Sequence, residues 1–359
     1  MRQRWKAGGR RALVALTVAT ATALPGGLGA QILFQKNERQ QQREAAGRLA
    51  PQPFVLPQML GQRAPAVIRL RFYADAEYRS TGPNWRDQVK AQLGRLNQLV
   101  GPALGVRFEA VDWKRWERRS GNQTLTPMLT ELAKLDPGLD VDWVVGLVSP
   151  LPLVSMSFHD LGWANVLGRH FVLRGMSDAR ELDDLRRYYQ KLDPAEVAAL
   201  YGKRKAHKEL AIFLHEWGHT LGAFHVQDRT HLMNAAYSPQ AHRLSPADAG
   251  LWHESAMARI RSRGLDAVDY SGLRVYLLET NDPLWPPRER QFLLSQLPKA
   301  PARRGPPGLS EEALAGARSA LGLPPPAKRG VPRGSPVLAP RPAPRKKERQ
   351  PGGVGGTAR

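Results

Sequence analysis

The sequence predicts a mixed α/β (α+β) domain with a flanking segment at each end, and three observations carry that reading. Apolar residues alternate at Ile68, Leu70 and Phe72 and again at Val106, Phe108 and Ala110, the period of two that marks half-buried strands. Between and after these runs, apolar positions recur at steps of three and four, the period of an amphipathic helix. Residues 141–148, with Trp143, Val144 and Val145, are almost continuously apolar, as a strand covered on both faces must be. The order over residues 65–148 is therefore β-α-β-α-β. With 42% hydrophobic residues and nine Trp in 359 residues, the chain can bury a substantial core. Its 33 Gly and 30 Pro follow no fixed period, which excludes collagen-like and coiled-coil chains.

Taken in order, the chain opens on Arg2, Arg4, Lys6, Arg10 and Arg11, followed by an uncharged apolar run over 12–24 and then Pro25, Gly26, Gly27, Leu28, Gly29 and Ala30. A basic start, an apolar run too short to span a bilayer comfortably and small residues at its end make a secretory signal. Residues 1–30 are expected to be removed on export, leaving a secreted or periplasmic protein with no membrane span; an uncleaved membrane anchor is the alternative. Residues 31–63, rich in Gln, Arg and Pro, read as a linker or short pro-segment. The folded domain is expected over 64–282. Its first helix runs from Trp85 through Val89, Leu93, Leu96 and Val100 and is ended by Gly101 and Pro102; the second takes Thr126 as N-cap and Pro127 as first residue and stops at Asp136-Pro137-Gly138. Two short strands, 162–166 and 170–173, are parted by Gly168. A charged amphipathic helix covers 178–191, Asp193, Pro194 and Glu196 start another, and a longer one runs from about His207 to Leu221. Ser245, Pro246 and Asp248 open a helix to about Arg261. Residues 283–359 read as a basic Pro-rich tail, largely disordered, with one helix over 310–321.

The net charge of +21, from 53 Lys plus Arg against 32 Asp plus Glu, raises a nucleic-acid reading. The positive residues crowd the ends, however: five lie in residues 1–11, and nine in 324–359 against the single acid Glu348. The tail holds no Phe, Trp or Tyr on which bases could stack, so specific nucleic-acid binding is not expected. Attachment of the tail to an anionic surface is the remaining use of that charge. The chain has no cysteine, which removes disulfides, Cys-ligated zinc or iron–sulfur clusters, catalytic thiols and lipidated cysteines.

The chemistry concentrates in residues 215–225. His215 and His219 are four apart on a helix and so share a face, where both imidazoles can reach one zinc ion. Glu216 projects beside them, placed to act on water without being a ligand. Gly222 can take positive φ and reverse the chain, bringing His225 back as a third ligand. Three neutral imidazoles leave a fourth position open, as a catalytic zinc requires. A bare HExxH arises by chance often enough to be weak; the added Gly222, His225 and downstream Met233 make chance a poor account. His159, Asp160 and His170 lack metal-site spacing, His231 and His242 read as surface loop residues, and Glu254 is a third-ligand candidate only if His225 is not one.

This pattern resembles the metzincin clan of zinc metallopeptidases, whose signature is HExxHxxGxxH followed by a Met-turn, and within it most of all the matrixin-type branch. Tyr237 follows Met233 by four residues, and Leu244-Ser245-Pro246-Ala247-Asp248 opens a closing helix, as in that branch; Asn234 and Ala235 depart from its usual Tyr-Pro. The resemblance is specific over residues 215–249. It implies a twisted, mostly parallel sheet with an antiparallel edge strand, an active-site helix and a C-terminal helix. It also implies that His215, His219 and His225 bind one catalytic Zn2+, with Glu216 as general base on zinc-activated water. Met233 would form the base under the metal and Tyr237 the wall of a substrate pocket. The edge strand that pairs with a protein or peptide substrate would include Gly162 and Ala164. Calcium is left open, with no motif for it, and a cysteine switch is excluded. The two functional classes are an exported endopeptidase and a non-catalytic binding protein that uses its basic tail.

Overall fold

The computed structural model describes residues 27–58, 64–80, 82, 84–121, 124–150, 155–176, 178–265 and 267–298. Residues 1–26 of the expected signal (1–30), the tail from 299 and the expected helix over 310–321 lie outside them, whereas residues 27–30 begin the first helix. In chain order the elements are α1 (Gly27–Leu49), β1 (Ala66–Asp75), α2 (Ala76–Ser80), α3 (Trp85–Leu104), β2 (Val106–Trp116), α4 (Leu125–Leu135), β3 (Trp143–Val148), α5 (Phe158–Leu161), β4 (Gly162–Ala164), β5 (His170–Arg174), α6 (Asp178–Tyr188), α7 (Pro194–Thr220), α8 (Pro246–Arg261), α9 (Ser271–Glu279) and α10 (Pro287–Gln296).

The five strands form one sheet in the order β2-β1-β3-β5-β4. Every pairing is parallel except β4 with β5, so the sheet is mostly parallel with an antiparallel edge strand. β3 lies in the middle and is buried along its whole length, as its apolar run requires. Its side chains part to two cores: Trp143, Val145 and Leu147 face α3, α7 and α8, whereas Val144 and Val148 face α4. The second core holds Met128, Leu129 and Leu132 of α4 with Trp116 of β2.

Several boundaries differ from the sequence reading, each for a local reason. α3 continues through Gly101 and Pro102 to Leu104, and its stop is Gly105, which sits at φ 63° and donates its N–H to Gly101 O. α4 takes Thr124, not Thr126, as its N-cap residue. The helices expected at 193 and 207 are a single helix of 27 residues, α7, started by a reciprocal capping box between Asp193 and Glu196. Gly202, inside it, weakens but does not break it.

The flanking segments differ most. Within the stretch expected to be a linker or short pro-segment, Ala45 and Ala46 of α1 and the following Ala50 pack against Leu185 of α6, Tyr189 just beyond it and Val197 and Tyr201 of α7. Arg43 pairs with Glu196 at 2.8 Å, Arg39 bonds Asp193, and residues 52–56 lie along the loop at 238–244. At the other end, residues 283–298 belong to the folded unit: Trp285, Leu293 and Leu297 are buried in the main core. Those three side chains outweigh the Pro- and Arg-rich composition around them.

Candidate metal centre

The last turns of α7 build the site. His215 and His219 stand one turn apart, and Gly222 then takes φ 92° while its N–H donates to His219 O at 3.0 Å. Ala223 N–H donates to Gly218 O at 2.9 Å, so the chain reverses tightly and carries His225 back over the helix end. The three Nε2 atoms form a triangle with sides of 3.2 Å (His215 to His219), 3.1 Å (His219 to His225) and 3.2 Å (His215 to His225).

The donor chemistry fits a tetrahedral cation. Nδ1–H of His215 donates to Leu232 O at 2.8 Å, and that of His219 to Ala223 O at 3.1 Å, so the proton of each neutral ring is on Nδ1 and Nε2 presents a lone pair. Lone pairs crowded this closely repel unless a cation lies between them. Three ligands on a tetrahedral zinc with bonds of about 2.0–2.1 Å stand roughly 3.3–3.4 Å apart, close to the spacing found. Burial holds the rings neutral: His215 is driven far below the ordinary histidine range, His219 to about 3 with help from His225, and His225 to about 4.

Glu216 is buried among these rings, and desolvation raises its carboxyl well above the usual range. Its side chain lies against β4 at Gly162, where a Cβ would stand 2.4 Å from Glu216 Cγ and 2.7 Å from Oε1. Gly162 is thus needed for the room its missing side chain leaves, not for pocket lining. Ala164 does line the cavity. That cavity, of about 370 Å³, lies over the three nitrogens between β4, the 223–225 turn and Glu289, Phe292 and Leu293 of α10. β4 ends the sheet, so its outer edge has no partner strand among the described residues.

Behind the helix, Met233 is fully buried beneath the site, and Gly218 gives it room: a Cβ there would lie 2.9 Å from its Sδ. His231 is not a surface residue. It is buried, accepts from Met233 N–H on Nδ1 at 3.1 Å and faces Asp248 Oδ2 across 3.0 Å, which ties the Met233 turn to the start of α8. Tyr237 is also relocated. It does not line the cavity but is buried behind it, edge-on to Phe158 and hydrogen-bonded to His207 at 3.1 Å. Its neighbour Phe158 stacks on His215 at 4.1 Å.

Among the remaining candidates, His159 reaches the cavity rim, 5.6 Å from the His225 ring, whereas Asp160 accepts from Ser155. His170 binds Asp136 O, His242 bonds Gln240 O, and Glu254 is not in the metal group. Sequence reasoning missed Phe158, Glu289, Phe292 and Leu293. The first gives no local signal; the others follow Pro286-Pro287 with Glu289 in the first turn, a helix start legible in principle.

No family model and no curated protein matches this sequence. Among solved structures, the chain is similar to archaemetzincin from Methanopyrus kandleri, with 21% identity and a TM-score of 0.34 over 55% of this chain and 99% of that one. It is similar to metalloproteinase-II from Bacteroides fragilis at 16% identity and TM-score 0.34, over 60% of each chain. A chain from a chaperone–substrate complex is 13% identical, with a TM-score of 0.32 over 58% of this chain and 38% of its own. Similarity at this level leaves the reading of the site to its own geometry.

Proposed function

We propose that this protein is an exported zinc-dependent endopeptidase. The observation that carries the reading is the triangle of His215, His219 and His225 Nε2 atoms with Glu216 beside it, at the foot of a cavity walled by a free strand edge. Zinc held by the three imidazoles supplies Lewis acidity toward a carbonyl and toward water. The protein does the rest. β4 can pair with an extended peptide on its outer edge and hold residues on both sides of the bond to be cut, which favours cleavage within a chain. Glu216, buried and with its carboxyl shifted upward, is suited to take a proton from water and return it to the leaving amine. Met233 and the His231–Asp248 pair fix the floor behind the ligands. Export rests on the order of residues 1–30, and attachment to an anionic surface on the charge of the tail.

The test is metal analysis of the purified chain together with Glu216→Gln. One zinc per chain is expected in both proteins, with peptide hydrolysis reduced by roughly 10²–10⁴ in the variant. Near-normal turnover by Glu216→Gln, or a chain that takes up no zinc, overturns the proposal.

A further inference from the structure

We infer that residues 52–56 are a positioning segment for one metal ligand, His215, and that Phe54 is its positioning residue; the inference rests on the zinc reading above. The segment reaches His215 by two separate routes.

The first is backbone. Gln52 N–H donates to Pro239 O at 2.9 Å and Val55 N–H to His242 O at 2.8 Å, and Val55 bridges Arg243 in parallel register. Arg243 in turn bridges His231, and its carbonyl accepts from Leu232 N–H at 2.8 Å. The carbonyl of Leu232 is the acceptor that holds His215 Nδ1–H. Three short extended pieces, around Val55, Arg243 and His231, thus lie side by side, and the last of them orients the ligand.

The second route is a column of rings. Phe54 stacks on His207 at 4.4 Å with the planes 9° apart. His207 Nδ1 bonds the Tyr237 hydroxyl, Tyr237 meets Phe158 edge-on at 6.1 Å, and Phe158 stacks on His215 at 4.1 Å. Close-packed rings cannot shift one at a time, because each fills the space that fixes the next. The two routes fix different freedoms of one imidazole: the carbonyl sets its rotation and tautomer, and Phe158 sets its plane.

Neither route holds His219, whose Nδ1–H bonds Ala223 O within its own turn, and the ring column meets His225 only by way of His215, which stacks on it at 5.2 Å. Loosening residues 52–56 should therefore disturb His215 first and leave the hydrogen bond of His219 in place. One consequence follows for processing: a cut that removed residues through 58 would take the positioning segment away, so any maturation cut compatible with full metal affinity lies before Gln52.

The experiment uses full-length variants. Val55→Ala is the control, because the Val55 side chain is 59% exposed. Val55→Pro removes the N–H that reaches His242 and also restricts the backbone of Phe54 before it, so it loosens both routes at once, and Phe54→Ala removes the first ring, whereas Phe54→Tyr keeps it. Zinc affinity is read by competition with a chelator, and the imidazole Nδ1–H signals of His215 and His219 by NMR on metal-free protein. Phe54→Ala and Val55→Pro should lose roughly 10–100-fold in zinc affinity, as is usual when the support of a ligand is removed. They should also expose His215 Nδ1–H to exchange while His219 stays protected. Val55→Ala and Phe54→Tyr should match the unaltered chain. Unchanged zinc affinity in both disruptive variants, or equal loss of protection at His215 and His219, would overturn the inference. Failure of the zinc reading itself has a different signature: the unaltered chain binds no zinc, while the metal-free NMR comparison still reports on His215.

Discussion

The two ends of the folded unit are alike in composition and opposite in how they hold the site. The N-terminal segment works behind it, through backbone hydrogen bonds, stacked rings and ion pairs that stay largely exposed. α10 works in front, through Trp285, Leu293 and Leu297, all buried, with Leu293 against the Gly222 turn. Polar attachment orients without adding much stability, because surface ion pairs contribute only about 0–1 kcal/mol each. Apolar attachment stabilises strongly and orients less. The comparison teaches that a few anchors decide whether a low-complexity stretch folds, whatever its average composition.

The largest expected effect would break the comparison outright. A chain ended after Gln296-Leu297-Pro298 should keep its fold and thermal midpoint, whereas one ended after Asp282 should lose the folded state. Three buried apolar side chains at roughly 1.5–3 kcal/mol each are a large part of a typical domain's stability. Calorimetry on both chains decides it, and a stable, active chain ended at Asp282 would show that α10 is dispensable. Next in size, Leu293→Ala should cost about 2–5 kcal/mol in denaturant unfolding.

Acid should separate the two ends, acting on the first and not on the second. Burial, with a smaller contribution from His242, lowers His207 to about 4 from an ordinary 6.5. The unfolded chain takes up this proton first as pH falls. The stability that the neutral ring supports is therefore complete above about 6.5 and is lost as pH falls to about 4. His207→Gln should flatten part of the stability loss in that window, and Leu293→Ala should leave its slope unchanged. Equal slopes for the unaltered chain and His207→Gln would remove His207 from the account. The smallest effect belongs to Arg43→Ala at the exposed pair with Glu196, at most about 1 kcal/mol by urea unfolding.

What could be read from the sequence was what neighbouring residues decide. The spacing of His215, Glu216, His219, Gly222 and His225 specifies a helix face and a reversal, and both stand in the structure with Gly222 at φ 92°. The strands were legible because alternation and a continuous apolar run follow from burial on one face or two. Contacts between distant segments were not. Nothing near His231 announces Asp248, seventeen residues on, and nothing near Tyr237 shows that its hydroxyl is taken by His207. Phe54 stands in a Gln- and Pro-rich stretch whose composition hides a single ring with a partner far along the chain. The two-helix reading of 193–221 failed for a milder reason: a polar run around Gly202 resembles a break, and only packing at both ends carries the helix through it.

Gly162 offers a practical handle. Its backbone is extended, a conformation open to any residue, and what a side chain there would meet first is the side chain of Glu216, at Cγ and the carboxyl. A single added methyl group would act as a wedge, levering the acid of Glu216 aside without replacing that residue or any of the three histidines. Under the proposed peptidase function, such a variant would keep its native charge and its metal ligands and serve as bait: a form that grips a target chain without cutting it and can be recovered together with what it has caught.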